Sequence, residues 1–333
     1  MPDLDAARRR HPRLMKIGVF TAAFSAEPLE PVLDKLAGLG VEAVELSCGN
    51  YGGNAHCDPE ALLADPARLR QLRDAVESRG LEISGLSQHG NPLHPRDALA
   101  RETHETWRSA LRLAEALEVG TVLAFSGCPG EGPEASYPNW VTCAWPDEYL
   151  ELLDWQWSER VIPYWVREAE VAREHGVRVA VEPHAGFVVH NPDTALRLRD
   201  ATGPALGVNY DPSHMFWQGI DPVGAIEQLG RAGAIFHVHA KDTYLDPELM
   251  RGRGGLDTTP FSEFERRSWS FRTVGDGHDE ATWRAIVAAL RGVGYDGAVS
   301  IEHEDPLLDA DQGVARGVSA LRAAMAAGDR STA

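Results

Sequence analysis

Four short apolar runs in the second half of the sequence each end in residues that can bind a divalent metal ion. They span residues 177–184, 206–214, 234–242 and 298–305. Such runs are typical of buried parallel strands, and parallel α/β folds bind their ligands at the carboxyl ends of the strands. Three carboxylates and an imidazole that converge there would form a mixed oxygen and nitrogen site for one divalent cation.

The rest of the sequence predicts the elements that would position these residues. Strand-like runs begin near Ile17, Ala43, Glu82, Thr121, Val177, Leu206, Ala234 and Ala298. Amphipathic patterns between them predict helices over about 27–39, 59–79, 97–118, 148–175, 193–201, 222–231, 280–293 and 310–327. Pro163 interrupts the fourth helix, which predicts two helices at an angle.

Eight strands that alternate with eight helices predict an α/β fold, the (β/α)8 or TIM barrel, because parallel strands need helical crossovers. A doubly wound open sheet is the alternative. The sequence has no GxGxxG after the first strand and no GxxxxGK[ST]. Both absences count against the doubly wound open sheet. We therefore predict one catalytic barrel domain over residues 15–327, with a flexible arm at 1–14 and a flexible tail at 328–333.

Composition narrows the classes of partner and compartment. Lys and Arg number 32 against 50 Asp and Glu, and a net charge of −18 repels phosphate backbones, so we expect no nucleic-acid partner. No apolar stretch approaches the roughly 18–20 residues of a membrane span, and the polar start lacks the apolar core of a secretory signal. The four cysteines show no CxxC pairing, which predicts free thiols in a reducing cytoplasm.

Two predicted strand-to-helix connections are long, at about 127–146 and 242–279. Long loops on this face of a barrel usually shape or cover a substrate pocket. Both are rich in aromatic and arginine side chains, including Tyr137, Trp140, Trp145, Arg266, Trp269 and Arg272. Packing of these residues against the barrel or a neighbouring subunit is the alternative.

The motifs at the strand ends resemble a known group of proteins. They are Glu-Pro-His at 182–184, Asp-Pro-Ser-His at 211–214, His-Val-His-Ala-Lys-Asp at 237–242, and Gly-Tyr-Asp-Gly at 294–297 leading into Ile301-Glu302. Their order resembles the sugar phosphate isomerase/epimerase family, and the resemblance extends from Lys16 to about Ala326. That family has a xylose-isomerase-like TIM barrel and includes ketose 3-epimerases, hydroxypyruvate isomerases and inosose dehydratases.

The resemblance implies one divalent metal ion, with Mn²⁺ preferred over Mg²⁺, Co²⁺ or Zn²⁺. It implies the ligands Glu182, Asp211, His239 and Glu302, with Glu182 and Glu302 also acting as the catalytic acid and base. A proton beside a carbonyl leaves when a Lewis acid stabilises the developing enolate and a positioned carboxylate accepts the proton. Asp211, which precedes Pro212, has the alternative role of capping the next helix.

Further residues are candidates for substrate binding. By resemblance, His184 and His214 would contact substrate hydroxyls and Lys241 would neutralise an oxyanion. His89, after the third strand, has the alternative of stabilising its loop, and Arg272 is placed to reach the pocket. We expect His237 and His239 to point to opposite sides of their strand, with His239 at the barrel mouth and His237 as a buried, hydrogen-bonded core residue.

The expected function is a metal-dependent sugar isomerase or epimerase that acts through an enediolate. The alternative is a lyase or dehydratase that eliminates from a keto-sugar, keto-glycoside or inosose. The position where ketose 3-epimerases have an arginine is Leu245 here, which weakens the case for a free-ketose epimerase. An endonuclease-IV-like DNA repair enzyme and a non-catalytic sugar-binding barrel are more remote alternatives. We expect a sugar or cyclitol as partner, no membrane, and a homo-oligomer, either dimer or tetramer.

Overall fold

Eight parallel strands form a closed barrel in the computed structural model, which describes residues 15–328. The strands of the described residues are β1 (Lys16–Phe20), β2 (Ala43–Ser47), β3 (Glu82–Ser87), β4 (Thr121–Phe125), β5 (Arg178–Glu182), β6 (Leu206–Tyr210), β7 (Ile235–Ala240), β8 (Asp242–Leu245), β9 (Trp269–Arg272) and β10 (Ala298–Ile301). Strands β8 and β9 form a separate two-stranded sheet outside the barrel. Around the barrel the strand order is β1, β10, β7, β6, β5, β4, β3, β2. The predicted TIM barrel is therefore confirmed. The expected arm at 1–14 and the tail beyond Gly328 lie outside the described residues.

Helices cover the outside of the barrel. They are α1 (Leu29–Gly38), α2 (Pro59–Ala64), α3 (Pro66–Glu77), α4 (Asp97–Leu117), α5 (Glu148–Trp155), α6 (Ile162–Glu174), α7 (Pro192–Thr202), α8 (Ser213–Phe216), α9 (Pro222–Arg231), α10 (Pro247–Arg253), α11 (Glu280–Gly292) and α12 (Ala310–Gly328). Several begin at an acidic or amide residue followed by proline, as at Asp65 and Asn191, whose side chains accept hydrogen bonds from backbone N–H groups of the first turn.

Side chains alternate between the barrel interior and the helices along each strand. Val44, Leu46, Val179 and Val181 belong to the large apolar core cluster, together with helix residues such as Leu36. The intervening interior positions are unusually polar at the level of the strand ends. They include Glu45, Glu182, Asn209, His237 and His239, all buried.

Two predictions about individual elements are wrong in detail. Pro163 does not break the fourth helix into separate helices, because a π-helical turn at Gln156–Val161 joins α5 to α6 and Pro163 lies in the first turn of α6. The second long loop contains structure of its own. Strands β8 and β9 pair antiparallel, with Asp242 opposite Arg272 and Leu245 opposite Trp269.

The four cysteines are free, as expected, although the buried Sγ atoms of Cys48 and Cys57, in the loop after β2, lie 3.4 Å apart. Within residues 15–328, no helix is both long and apolar enough to cross a membrane.

Candidate active site and metal centre

The structure brings four of the predicted residues together at the carboxyl end of the barrel. Glu182 ends β5, Asp211 follows β6, His239 lies in β7 and Glu302 follows β10. One ligand atom from each lies within 4.8 Å of the others. Nδ1 of His239 lies 3.0 Å from Glu302 Oε2 and 3.4 Å from Glu182 Oε2. Residues far apart in sequence thus form one cluster because their strands end at the same face.

Several buried polar atoms of this cluster have no hydrogen-bond partner. Oδ2 of Asp211, Nδ1 of His239, Nε2 of His89 and both ring nitrogens of His214 are among them. A buried polar atom without a partner costs about 1–3 kcal/mol, so such atoms rarely gather in one place without a ligand. Carboxylate oxygens with one imidazole nitrogen suit Mn²⁺, Mg²⁺, Co²⁺ or Zn²⁺. The residues present fit a divalent cation.

Asp211 belongs to the cluster and also contacts the backbone at the start of the next helix. Its Oδ1 accepts a hydrogen bond of 2.8 Å from the backbone N–H of Ser213, at the start of the four-residue helix α8. Its Oδ2 makes no hydrogen bond of good geometry and lies 3.1 Å from Lys241 Nζ. The turn after β6 therefore orients the carboxylate toward the cluster.

Glu45 on β2 is a site residue that the sequence analysis missed. His239 Nε2 lies 3.0 Å and 3.1 Å from its two carboxylate oxygens, and Ser87 Oγ donates a further hydrogen bond. Burial alone would raise the pKa of Glu45, but the imidazoles of His239 and His237 outweigh burial and lower it to about 2. The ionised Glu45 therefore accepts a hydrogen bond from Nε2–H of His239. This arrangement leaves Nδ1 of His239 facing the cluster.

Lys241 brings a buried positive charge to the same cluster. Its Nζ lies 2.6 Å from Glu302 Oε2, 3.1 Å from Asp211 Oδ2 and 3.2 Å from Glu304 Oε2. Burial opposes the charge, but these carboxylates outweigh it and hold the pKa of Lys241 well above its usual value. Burial would likewise raise the pKa of Glu302, and Lys241 and His239 lower it instead. Glu302 is therefore ionised.

Glu182 is held by a set of polar neighbours. Asn209 Nδ2 donates a hydrogen bond of 2.8 Å to Glu182 Oε2, His89 Nε2 lies 3.2 Å from Oε2, and His214 Nε2 lies 3.4 Å from Oε1. Burial would raise the pKa of Glu182, but the nearby imidazoles of His239, His214 and His89 lower it well below its usual value. This carboxylate is fixed on more sides than Glu302.

A cavity of about 430 Å³ opens above the cluster, within the usual range of ligand pockets. Its polar lining includes the predicted His89, Glu182, His184, Lys241 and Glu302. Phe20, Tyr51, Phe125 and Phe187 form its apolar lining. Ionised carboxylates, imidazoles and aromatic rings together suit a small polyhydroxylated molecule with apolar C–H faces.

His184 and His214 stack beside the cavity with ring centroids 4.0 Å apart. Nδ1 of His184 donates to the carbonyl oxygen of Ala185 at 2.7 Å. Burial, with the nearby charge of His214, lowers the pKa of His184 well below its usual value. The neutral imidazole therefore presents Nε2 as an acceptor for a ligand hydroxyl.

The structure does not bring Arg272 to this group. The guanidinium donates to the carbonyl of Phe271 at 2.9 Å, lies 3.9 Å from Asp305 Oδ1 and sits over the rings of Tyr244 and Phe264. It is absent from the described residues that line the cavity. Its position in the β8–β9 pair, which the sequence analysis did not predict, directs it away.

The expected orientation of His237 is also wrong. Residues two apart on a strand share a face, and the Nε2 atoms of His237 and His239 both face Glu45, at 3.6 Å and 3.0 Å. The expectation that His237 is buried and hydrogen-bonded is confirmed, since its Nδ1 lies 3.1 Å from Asn209 Oδ1. His237 thus lies one layer below His239.

Fold and site together define a (β/α)8 barrel with a candidate divalent-metal centre at the carboxyl ends of its strands. Residues 33–324 match the sequence profile of the xylose isomerase-like TIM barrel. The chain therefore belongs to that family. It is 34% identical to the protein YfiH of Bacillus subtilis (strain 168) over 311 residues, which are 92% of this chain and 98% of YfiH.

Two solved structures have the same fold at low sequence identity. A D-tagatose 3-epimerase-like protein superposes with a TM-score of 0.65 at 19% identity, over 96% of this chain and 100% of that one. The probable 3-DHS dehydratase AsbF from Bacillus anthracis superposes with a TM-score of 0.64 at 18% identity, over 92% of this chain and 99% of that one. The structural neighbours thus include both an epimerase-like protein and a dehydratase.

Proposed function

We propose that the protein is a divalent-metal-dependent isomerase or epimerase of a sugar or cyclitol that carries a hydroxyl beside a carbonyl. One observation carries the proposal. Two ionised carboxylates, Glu182 and Glu302, line one cavity, and each places an oxygen near His239 Nδ1, at 3.4 Å and 3.0 Å. Such a pair can take a proton from one carbon and return it to the neighbouring carbon, which is isomerisation, or to the other face of the same carbon, which is epimerisation.

Glu182, Asp211, His239 and Glu302 would hold the ion. When bound, a divalent ion supplies Lewis acidity that makes the proton beside a carbonyl easier to remove. Mn²⁺ is our preferred assignment.

Two residues of the chain would carry out the proton transfer, Glu302 and Glu182. Glu302 has a 14% exposed side chain and Lys241 keeps it ionised, so it is suited to accept the carbon-bound proton. Glu182 is the second carboxylate that lines the cavity, and the hydrogen bond from Asn209 fixes its orientation. A positioned general base contributes about 10²–10⁴-fold to the rate. His184 would bind a substrate hydroxyl through Nε2.

Elimination of water or another leaving group from a keto-sugar is the second candidate. It begins with the same proton removal. Leu245, where ketose 3-epimerases have an arginine, packs with Trp217, Trp269 and Phe271 and supplies no charge. This apolar substitution favours a substrate different from a free ketose.

The test is incubation of the protein with Mn²⁺ in D₂O with a panel of keto-sugars and inososes, followed by NMR. Deuterium incorporation at carbon is expected, and the product separates epimerisation from elimination. Glu302→Gln and Glu182→Gln should abolish exchange while leaving the fold intact. Glu60→Gln, an exposed change in α2 outside the residues that line the cavity, is the control and should leave exchange unaltered. Absence of exchange with every compound, or exchange that survives chelation of the metal, would overturn the proposal.

We further infer a small-molecule substrate without nucleic-acid or membrane partners, a cytoplasmic location and a dimer or tetramer. The net charge of −18 supports the first point. Light scattering after gel filtration tests the oligomeric state.

A further inference from the structure

A second cavity of about 550 Å³ lies beside the candidate active site, and four Trp and Phe side chains belong to its lining. Trp140 comes from the first long loop, Trp217 follows α8, and Phe261, Arg267 and Trp269 come from the second long loop. We call this cavity the aromatic annex. Both loops are rich in aromatic and arginine side chains, and the proposed function does not use the annex.

The annex adjoins the catalytic cavity through a shared residue. His184 lines both cavities, and Ala185 and Gly186 continue the lining on the annex side. A ligand whose hydroxyl contacts His184 could therefore extend a substituent from one cavity into the other. This continuity argues that the two cavities receive two parts of one molecule.

Aromatic rings that contact one another form part of the annex wall. Trp217 and Trp269 stack with centroids 5.1 Å apart and an interplanar angle of 10°, and Phe261 meets Trp269 edge-on at 5.7 Å. Phe261 is 60% exposed, so a ligand in the annex can contact it.

The charged groups of the annex already have partners inside the protein. Asp257 accepts hydrogen bonds from the backbone N–H groups of Ser268 at 2.7 Å and Thr259 at 2.9 Å. Arg267 donates to the carbonyl oxygens of Trp269 and Thr259 and lies over the rings of Phe261 and Trp269. A second sugar would bring several hydroxyls with few charged partners to receive them.

Two buried indole N–H groups have no hydrogen-bond partner. They belong to Trp140 and to Trp217, which is 4% exposed, and both residues line the annex. An aromatic ring with an oxygen substituent would supply stacking area and an acceptor for one of them.

We propose that the aromatic annex binds an aryl substituent, so that the substrate is an aryl-substituted sugar whose hydroxy-ketone part occupies the metal site. This inference rests on the proposed function and adds the substrate class to it. In an aryl glycoside the sugar would lie over Glu182 and Glu302, and the ring would pass His184 to reach Trp269 and Phe261.

The first test compares binding of phenyl β-D-glucopyranoside with methyl β-D-glucopyranoside by calorimetry of the Mn²⁺-loaded protein. The phenyl compound should bind about 10-fold more tightly, since aromatic stacking adds to the area buried by the ring. Saturation-transfer NMR should show the phenyl protons in closest contact. Equal affinities, no measurable affinity for either compound, or an equally high affinity for cellobiose would overturn the aryl assignment.

The second test locates the ring. Phe261→Ala at the exposed rim should weaken binding of the phenyl compound about 3- to 10-fold and leave binding of the methyl compound unchanged. Trp140→Phe, which keeps an aromatic ring but removes the N–H, should have a smaller effect. The control is Tyr137→Ala, because Tyr137 is 69% exposed but lies outside the residues that line either cavity. A loss for Tyr137→Ala as large as that for Phe261→Ala would place the ring elsewhere.

Proton exchange at carbon separates the two proposals. If Phe261→Ala retains deuterium exchange on a small keto-sugar, failure of the phenyl preference refutes the annex alone. If phenyl binding is preferred but no compound exchanges deuterium, the proposed reaction fails and the annex assignment stands.

Discussion

The carboxylate of Glu45 and the imidazole of His239 face each other in the barrel interior. Nε2 of His239 lies 3.0 Å from one carboxylate oxygen of Glu45 and 3.1 Å from the other. Glu45 lies on β2 and His239 on β7, which are not neighbours in the barrel. When a metal-binding histidine donates its other ring N–H to a carboxylate, that hydrogen bond fixes the tautomer and the ring orientation of the histidine. This relationship determines which nitrogen His239 presents to the candidate metal centre.

We therefore predict that Glu45→Gln weakens Mn²⁺ binding about 10- to 100-fold, the usual effect of removing such a partner. Calorimetric titration of chelator-treated protein measures this directly, without an activity assay. Glu60→Gln, an exposed change in α2, is the control and should leave the affinity unaltered. An unchanged dissociation constant in Glu45→Gln would show that the carboxylate does not support the ligand.

The barrel strands could be predicted from the sequence because each is a short apolar run followed by polar residues. The structure places their first residues within one position of the predictions, for example at Arg178 where Val177 was predicted. The predicted metal ligands needed only the rule that parallel strands end at one face. Strands β8 and β9 were missed because their pairing depends on contacts across a long loop. No local sequence pattern in that loop predicts the two strands.

Glu45 could have been found from the sequence. A glutamate inside the buried run 43–47 must be paired or hydrogen-bonded, since an isolated buried charge is too costly. Its partner could not be identified in the same way, because His239 lies 194 positions away and the closure of the barrel brings the two together.

Lys241→Met should destabilise the metal-free protein by about 3–5 kcal/mol, because it leaves Asp211 and Glu302 buried without a cation. Added Mn²⁺ should raise the melting temperature of the variant more than that of the parent, since the ion then supplies the missing positive charge. Thermal melts with and without Mn²⁺ measure both effects. Lys35→Met, which removes an exposed lysine paired with Glu27 and Asp311, should cost less and show no metal rescue.

Asp242→Ala should destabilise the protein by about 3 kcal/mol or more, because several donors lose a buried charged acceptor. The Asp242 carboxylate accepts hydrogen bonds from the backbone N–H groups of Gly275 and His278 and from Trp283 Nε1. Urea denaturation measures the loss. Hydrogen exchange should localise it to residues 273–278. Uniform acceleration of exchange across the barrel would contradict this local role.

Arg272→Met tests the sequence-based prediction that Arg272 binds substrate against its position in the structure. The guanidinium lies over Tyr244 and Phe264 and near Asp305, so its loss should reduce stability by about 1 kcal/mol through lost packing and cation–π contact. KM for the compound identified by the keto-sugar panel should change less than about two-fold. A rise in KM requires the loss of a contact to the substrate, and Arg272 makes none in this arrangement. His184→Ala provides the contrast, since His184 lines the cavity and should raise KM. A large rise in KM for Arg272→Met with unaltered stability would mean that the β8–β9 pair moves to bring Arg272 onto the bound substrate.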